Sequence, residues 1–446
     1  MPHICNTIDP NIPLSGAEGL DGNSVISKAQ THPPAPALIE VHPRFLLGFG
    51  RFLPFRIQVL GHGAIYPGLL PKLRTMAGLY VHVPFCAQAC SYCDFHFTTK
   101  LSDRDAMVDA MVAELKSSLP EWEGETFTTL YFGGGTPSVL GADAIARIAH
   151  AAFDGAKWAL EEWTLEANPE DLTPGALQRY KEIGVTRLSI GVQSFKSDVL
   201  VWMKRIHSVN RAETAVLDAA STGFNHISLD LMYGLPLGAE GRWMNDVEKA
   251  CALPVDHLSC YILTAEPRTL YGHELSTGQK KEPEEDQVVQ EYAALCGATA
   301  AAGFEHYEVS NFARNGGRSR HNSAYWQGTP YLGIGPGAHS FRGNLRWWNA
   351  RSNGRYLQQA SRGAFKEQRE SEQLDAISRF NEFLITGLRR LEGVDPDHIL
   401  EQTGVPLETG VAEAISKGDC EWEGGRLRIP EPRWPMGDTI TLGLMR

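Results

Sequence analysis

From Gly78 onward, short apolar runs of strand length alternate with longer stretches of helical spacing. Leu79, Val81 and Val83 alternate with Tyr80 and His82, a period of two that predicts a strand with one buried face. Helical spacing over 103–119 follows, with Ser102 or Asp103 as N-cap. A second strand at 128–132 runs into Gly133-Gly134-Gly135-Thr136-Pro137-Ser138. The alternation continues with a helix at 142–153, a strand at 163–167, a helix at 174–183 and a strand at 187–192. Helical segments near 195–203 and 211–221 lead to a strand at 226–231, and a helix at 242–252 leads to a strand at 257–263. Six strand-then-helix units in succession imply a parallel sheet with helices outside it. The handedness of parallel crossovers then curls that sheet toward a barrel, complete or partial. The expected fold class is α/β: a partial, TIM-like (β/α)6 barrel over 76–265.

The flanks differ in character. Over 266–370, polar groups alternate with aromatics, and this segment is expected to cap the barrel. Beyond it, 375–391 carries Phe380, Phe383, Leu384 and Leu388 at the spacing of an amphipathic helix. Helical segments at 396–402 and 408–415 follow, then a hairpin turning at Glu423-Gly424-Gly425-Arg426. This pattern predicts a small winged-helix-like α+β domain over 371–446. Asp395, Asp397, Glu401, Glu408 and Glu413 make it acidic, which favours a packing or partner-docking lid over a DNA reader. Residues 1–75 are rich in Pro, Gly and His without lasting periodicity, and are expected to be a disordered or mis-translated extension ahead of a natural start at Met76.

Composition narrows the partners. A formal charge of −12 over 446 residues, with no Lys/Arg-rich stripe, argues against nucleic acid. Eight cysteines are too few for a disulfide scaffold at this length, so a reducing, cytoplasmic setting is expected. No run approaches the roughly 18 uninterrupted apolar residues of a transmembrane helix.

The chemistry starts at Cys86, Cys90 and Cys93, on a short loop directly after the first strand. Three thiolates there can hold three corners of an iron–sulfur cube and leave the fourth iron open to a small molecule. A zinc site with His82 or His96 as fourth ligand is the plainer reading of the loop alone. Strand ends supply a test, because parallel β/α sheets build their sites at the C-terminal ends of strands. The cysteines follow strand one, the triple glycine follows strand two, and Glu166 and Asn168 end strand three. Gln193 and Ser194 end strand four, and Asp230 lies in strand five. Polar residues at successive strand ends favour one site built across the sheet. A triple glycine also lets backbone approach a ligand closely, and a lone carboxylate such as Glu166 is costly to bury unpaired.

The segments YVHVPFC, CSYCDF, YFGGGTPS, EANP, SIGVQSF, SLDLMYGLP, YEVSNFA, SRHNSAYW and YLGIGPGAHSF together resemble the radical S-adenosylmethionine (SAM) family that contains oxygen-independent coproporphyrinogen III oxidase and related heme chaperones. The resemblance implies a [4Fe–4S] cluster on Cys86, Cys90 and Cys93, with SAM beside it. It makes Gly133, Gly134, Gly135 and Thr136 the loop that meets the methionyl amino group. Glu166 matches a contact to the ribose or amino group of SAM, Gln193 a ribose-binding glutamine, Asp230 a residue near the adenosine, and Arg205 the partner of the SAM carboxylate. Tyr80 and His82 precede the cluster as candidate catalytic residues. The implied reaction is reductive cleavage of SAM to a 5′-deoxyadenosyl radical. His321, Asn322 and Tyr325 match a heme-binding HNxxY pattern of the chaperone branch, and His339 is a second candidate ligand. Phe95 stands where the oxidases carry a further cysteine, which turns the expectation from porphyrin decarboxylation to heme handling. Heme or a porphyrin, a client hemoprotein and a reduced electron donor are the implied partners, with membrane association only through clients.

Overall fold

The computed structural model describes residues 76–236, 242–367 and 369–446; the expectation for 1–75 lies outside them. Strands β1 (Met76–Val83), β2 (Thr126–Gly134), β3 (Trp158–Ala167), β4 (Arg187–Gln193), β5 (His226–Tyr233) and β6 (His257–Ile262) lie side by side in chain order, each parallel to the next. Helices Arg104–Ser118, Ala142–Gly155, Pro174–Glu182, Val209–Thr222 and Arg242–Ala252 make the crossovers. This is the α/β array that the alternation predicts.

The sheet continues past both expected edges. β7 (Glu305–Glu308) and β8 (Asn311–Ala313) extend it beyond β6, antiparallel. On the other side β9 (Tyr331–Ile334) runs parallel to β1, followed by the antiparallel β10 (His339–Arg342), β11 (Leu345–Trp348) and β12 (Glu370–Gln373). Twelve strands result, in the order β12-β11-β10-β9-β1-β2-β3-β4-β5-β6-β8-β7. Among the described residues β1 and β6 bond to β9 and β8 rather than to each other, so the six-strand array is a partial barrel. The short strands β7 to β11 of the segment 266–370 thus enter the sheet itself, while most of the segment is helix and loop.

The strand period sorts the two faces. Leu79, Val81, Val83, Leu130, Phe132, Leu165, Leu188, Ile190, Leu229, Leu231 and Leu258 have no exposed surface and pack in one core with the helices. The opposite face is polar. One register rung runs Tyr80, Tyr131, Thr164, Arg187, and another runs Glu166, Ser189, Ser228, His257. Buried polar groups cost free energy unless bonded, and these form a network. Arg187 Nε donates to Glu162 Oε2 at 2.8 Å, and Glu162 also accepts the backbone N–H groups of Arg320 and His321 at 3.1 and 3.0 Å. A β3 carboxylate so holds the start of the helix Arg320–Trp326.

Some local expectations shift. Asp103 occupies the N-cap position of Arg104–Ser118 without bonding a helix N–H; it pairs with Lys100 and Ser102 instead, because the turn Leu101–Asp103 is already helical. The C-terminal helix stops at Ala376–Gly387, short of residue 391, where a Cβ on Gly387 would stand 2.3 Å from Val394. Helices Pro396–Thr403 and Val411–Ser416 and the hairpin Glu421–Glu423/Arg426–Arg428 follow. Gly424 and Gly425 turn that hairpin with φ of 57° and 81°, a backbone that side chains resist. No helix among the described residues is long and apolar enough to cross a membrane, and their seven cysteines are all free thiols.

Candidate functional site

Most of the expected cluster and SAM residues converge on one cavity at the C-terminal end of the parallel strands, whereas Tyr80, His82, Gly133, His321 and Tyr325 lie outside its wall. Its wall includes Cys86, Cys90, Cys93, Gly134, Gly135, Thr136, Glu166, Gln193, Arg205, Asp230 and Asn322. The loop after β1 is pinned at both ends: Cys86 N–H donates to the Thr98 carbonyl at 3.0 Å, and Thr98 N–H to the Pro84 carbonyl at 2.9 Å. Thr136 Oγ1 donates to Cys86 Sγ at 3.5 Å, and Arg205 to Cys90 Sγ at 3.6 Å. Burial pushes the Cys86 thiol up to about 11 and the Cys93 thiol to about 12. A cationic group is what such thiols need in order to ionise there.

Three thiols on one loop can serve either a zinc ion or an iron–sulfur cluster. A single tetrahedral zinc, with Zn–S bonds of about 2.3 Å, sets its thiolates about 3.8 Å apart. Among the described residues, three metal-ligating atoms lie within 4.8 Å of one another at Cys296, His306 and Glu431, and not at Cys86, Cys90 and Cys93. Two buried polar atoms in the same cavity, Arg205 Nε and Asn322 Oδ1, have no protein partner and so offer contacts to a ligand.

Each strand end contributes by its local geometry. The triple glycine is demanded by neighbours as well as by any ligand: a Cβ on Gly133 would stand 2.9 Å from Glu166 Oε1, on Gly134 2.7 Å from the His82 ring, and on Gly135 2.6 Å from the Phe85 carbonyl. Tyr131 OH donates to Glu166 Oε1 at 2.6 Å and Gly134 N–H to Oε2 at 3.2 Å. Burial nevertheless lifts the Glu166 carboxyl to about 7. Asp230, receiving Ser189 Oγ at 3.2 Å, is likewise pushed by burial to about 6. Gln193 closes β4 in the left-handed region at φ 69°, where the β4–β5 register slips. A side chain held there costs roughly 1–3 kcal/mol, and such strain gathers at functional sites. Arg205 donates at 2.6 Å to both Asn168 Oδ1 and the Gly191 carbonyl, which fixes its guanidinium over the cysteine loop.

Tyr80 and His82 sit on β1 behind the triple glycine. Tyr80 OH lies 3.2 Å from His82 Nδ1, and His82 Nε2 lies 3.0 Å from the His96 carbonyl. A carbonyl only accepts, so Nε2 carries the hydrogen and Nδ1 receives the tyrosine hydroxyl. Burial lowers the His82 pKa to about 4 and keeps the ring neutral. His321 lies deeper: it is buried, shares a 2.7 Å hydrogen bond with Thr129 Oγ1 and packs its ring, tilted, 4.9 Å from that of Tyr131. Its pKa, too, is lowered by burial to about 4, leaving a neutral imidazole. Tyr325 is half-buried against Trp326 and Tyr331, and His339 stacks on Trp348 at 5.5 Å, outside the cavity wall. The helix Arg320–Trp326 therefore brings His321 and Asn322 inward and leaves Tyr325 partly outward.

Sequence reasoning missed Tyr131, Ser189, Ser259 and the Glu162–Arg187 pair. Tyr131 stands two residues before Gly133, Glu162 four before Glu166, and Ser189 and Arg187 four and six before Gln193, an even spacing that could have found these four; no residue of β6 was singled out to point to Ser259.

Comparison with known proteins gives consistent results. The radical SAM superfamily pattern matches residues 80–243. The heme chaperone HemW of Mycobacterium tuberculosis is 35% identical over 384 residues, covering 85% of this chain and 97% of that protein. HemW of Bacillus subtilis is 32% identical, covering 78% and 92%. Among solved structures, coproporphyrinogen III oxidase from Escherichia coli superposes with a TM-score of 0.72 at 21% identity, covering 84% of this chain and 91% of that one, a likeness of fold.

Proposed function

The chain belongs to the HemW family of radical SAM proteins, and on that footing we propose that it binds a [4Fe–4S] cluster, SAM and heme and passes heme to a client hemoprotein. The observation that carries the reading is the single cavity shared by Cys86, Cys90 and Cys93 with Glu166, Gln193, Arg205 and Asp230. The three cysteines would hold the cluster, which supplies one electron for reductive cleavage of SAM when both are bound. Arg205, fixed by Asn168 and Gly191, presents cationic N–H groups suited to the SAM carboxylate. Glu166 and Gly134–Thr136 line the place for the amino group, and Gln193 and Asp230 that for the ribose and adenine side. Tyr80 and His82 hold each other in one tautomer behind that loop, which keeps the neutral ring fixed against Gly134.

For heme, His321 offers a neutral imidazole held in place by Thr129, with Asn322 and Tyr325 beside it on the same helix. The barrel over 76–265 would carry the cofactors, 266–370 the heme contacts, and the acidic segment 371–446 the docking of a client. No nucleic-acid role is proposed, and the electron donor would be a reduced protein or small carrier. Oxidative decarboxylation of coproporphyrinogen III is the second reading, favoured by the shared fold with the E. coli oxidase. Phe95, an apolar group in the cavity wall, stands against it.

The test is direct. Anaerobically reconstituted protein is titrated with heme and assayed in parallel for decarboxylated porphyrin. Near-stoichiometric heme binding that His321→Ala abolishes, with iron content and SAM affinity unchanged, supports the reading. Decarboxylated product without heme binding overturns it in favour of the oxidase.

A further inference from the structure

Cys296, His306 and Glu431 place a thiol, an imidazole and a carboxylate within 4.8 Å of one another, outside the cavity already described. They come from three separate elements: the helix Glu285–Ala301, strand β7, and the turn Glu431–Met436. His306 Nε2 lies 3.2 Å from the Val309 carbonyl, which can only accept, so Nε2 carries a hydrogen. In the neutral ring Nδ1 is then a bare lone pair. It faces Glu431 Oε1 at 2.7 Å and Cys296 Sγ at 3.7 Å. That lone pair can be met in two ways: by a proton, as an imidazolium facing Glu431, or by one cation shared with the thiol and the carboxylate. The imidazole cannot turn away, because it is stacked on Phe312 at 4.1 Å and met edge-on by Trp434 at 4.4 Å.

We propose that Cys296, His306 and Glu431 bind a divalent cation of the zinc type, with a fourth position open to solvent beside Glu431. One sulfur, one nitrogen and one oxygen donor suit a borderline-soft ion in tetrahedral geometry. The bond from Nε2–H to a backbone carbonyl is the usual second support of a metal-binding histidine. The sulfur–nitrogen spacing already suits bonds of about 2.0–2.3 Å, while the carboxylate must swing out by roughly half an ångström. Glu431 is 45% exposed and can do so. Bound there, the ion clamps the C-terminal turn onto the helix and the edge strand, a structural role separate from the cysteine loop.

The probe is zinc itself, at a small excess, with bound metal counted after gel filtration of the cluster-loaded chain and of a Cys86→Ala/Cys90→Ala/Cys93→Ala variant. The expected result is one tightly held zinc per chain in both, lost in Cys296→Ser and weakened at least tenfold in Glu431→Gln. Zinc X-ray absorption of the unmutated chain should show one sulfur among nitrogen and oxygen ligands, a readout that needs no variant to fold. Zinc retained in Cys296→Ser, zinc that depends on the loop cysteines, or no zinc at all (a simple imidazolium–carboxylate pair) would overturn the proposal. None of these outcomes depends on heme or SAM, so the clamp and the proposed heme function can fail separately.

Discussion

Arg205 spans the site: one nitrogen stands 3.6 Å from Cys90 Sγ, while another donates at 2.6 Å to Asn168 Oδ1. The same guanidinium therefore faces the cluster loop and the end of β3. Its buried Nε, with no protein partner, is left for a ligand. Hydrogen bonds to charged groups contribute about 1.5–3 kcal/mol. Arg205→Lys, which keeps the charge and loses the fork, is expected to weaken SAM binding about 10–100-fold with iron content unchanged. Calorimetric titration of the reconstituted protein checks this; unaltered affinity refutes the role.

Gln193 should trade stability for binding. Replacing it with glycine relieves the left-handed backbone at φ 69° and removes a side chain that lines the cavity. Gln193→Gly is expected to raise stability by up to about 1 kcal/mol, after the greater freedom of glycine in the unfolded chain is offset, and to weaken SAM binding. Thermal unfolding of the cofactor-free chain and a SAM titration measure the two arms. A less stable variant with full SAM affinity contradicts the assignment.

The Glu162–Arg187 pair is 3% and 2% exposed and also holds the first N–H groups of the His321 helix. Removing one partner leaves a buried charge uncompensated, at a cost of about 3–5 kcal/mol. Glu162→Ala is expected to lose that much in denaturant unfolding and to lose heme retention with it. Burial alone would raise the Glu162 pKa, yet Arg187 and the two backbone donors hold it below its ordinary value. This stabilisation is present above the unfolded carboxylate range and is lost as pH falls through the folded pKa.

Glu114 should show the opposite sign. It is buried, and burial lifts its carboxyl to about 7 although Gly335 N–H and Asn349 Nδ2 donate to it. The folded state therefore keeps a proton that the unfolded chain releases near pH 4.5. Stability from this group is complete below that pH and declines as pH rises to about 7, by up to about 3 kcal/mol. Glu114→Gln should flatten the decline in thermal unfolding between pH 5 and 8. An unchanged slope would exclude Glu114 as its source.

The six parallel strands were legible because each has a buried apolar face whose period of two is local to a few residues. The cysteine loop and the strand-end polar groups were legible for a related reason, since parallel topology sends every strand end to the same rim. The polar face was harder to interpret. Thr129, Thr164, Arg187 and Ser228 alternate with apolar neighbours just as solvent-facing residues do, yet all are buried. A strand pattern records which face is apolar, but not whether the other meets water or a polar interior.

What the sequence determined by itself is the order of the elements, the triad Cys86, Cys90 and Cys93, and the set of groups gathered at one rim. What tertiary structure decided is how those groups are held. The strands added at both edges, the seating of His321 against Thr129, the grip of Glu162 on a helix more than 150 residues away and the meeting of Cys296 with Glu431 all join distant segments. Such contacts follow from packing and pairing across the fold, which no short-range spacing of residue types encodes.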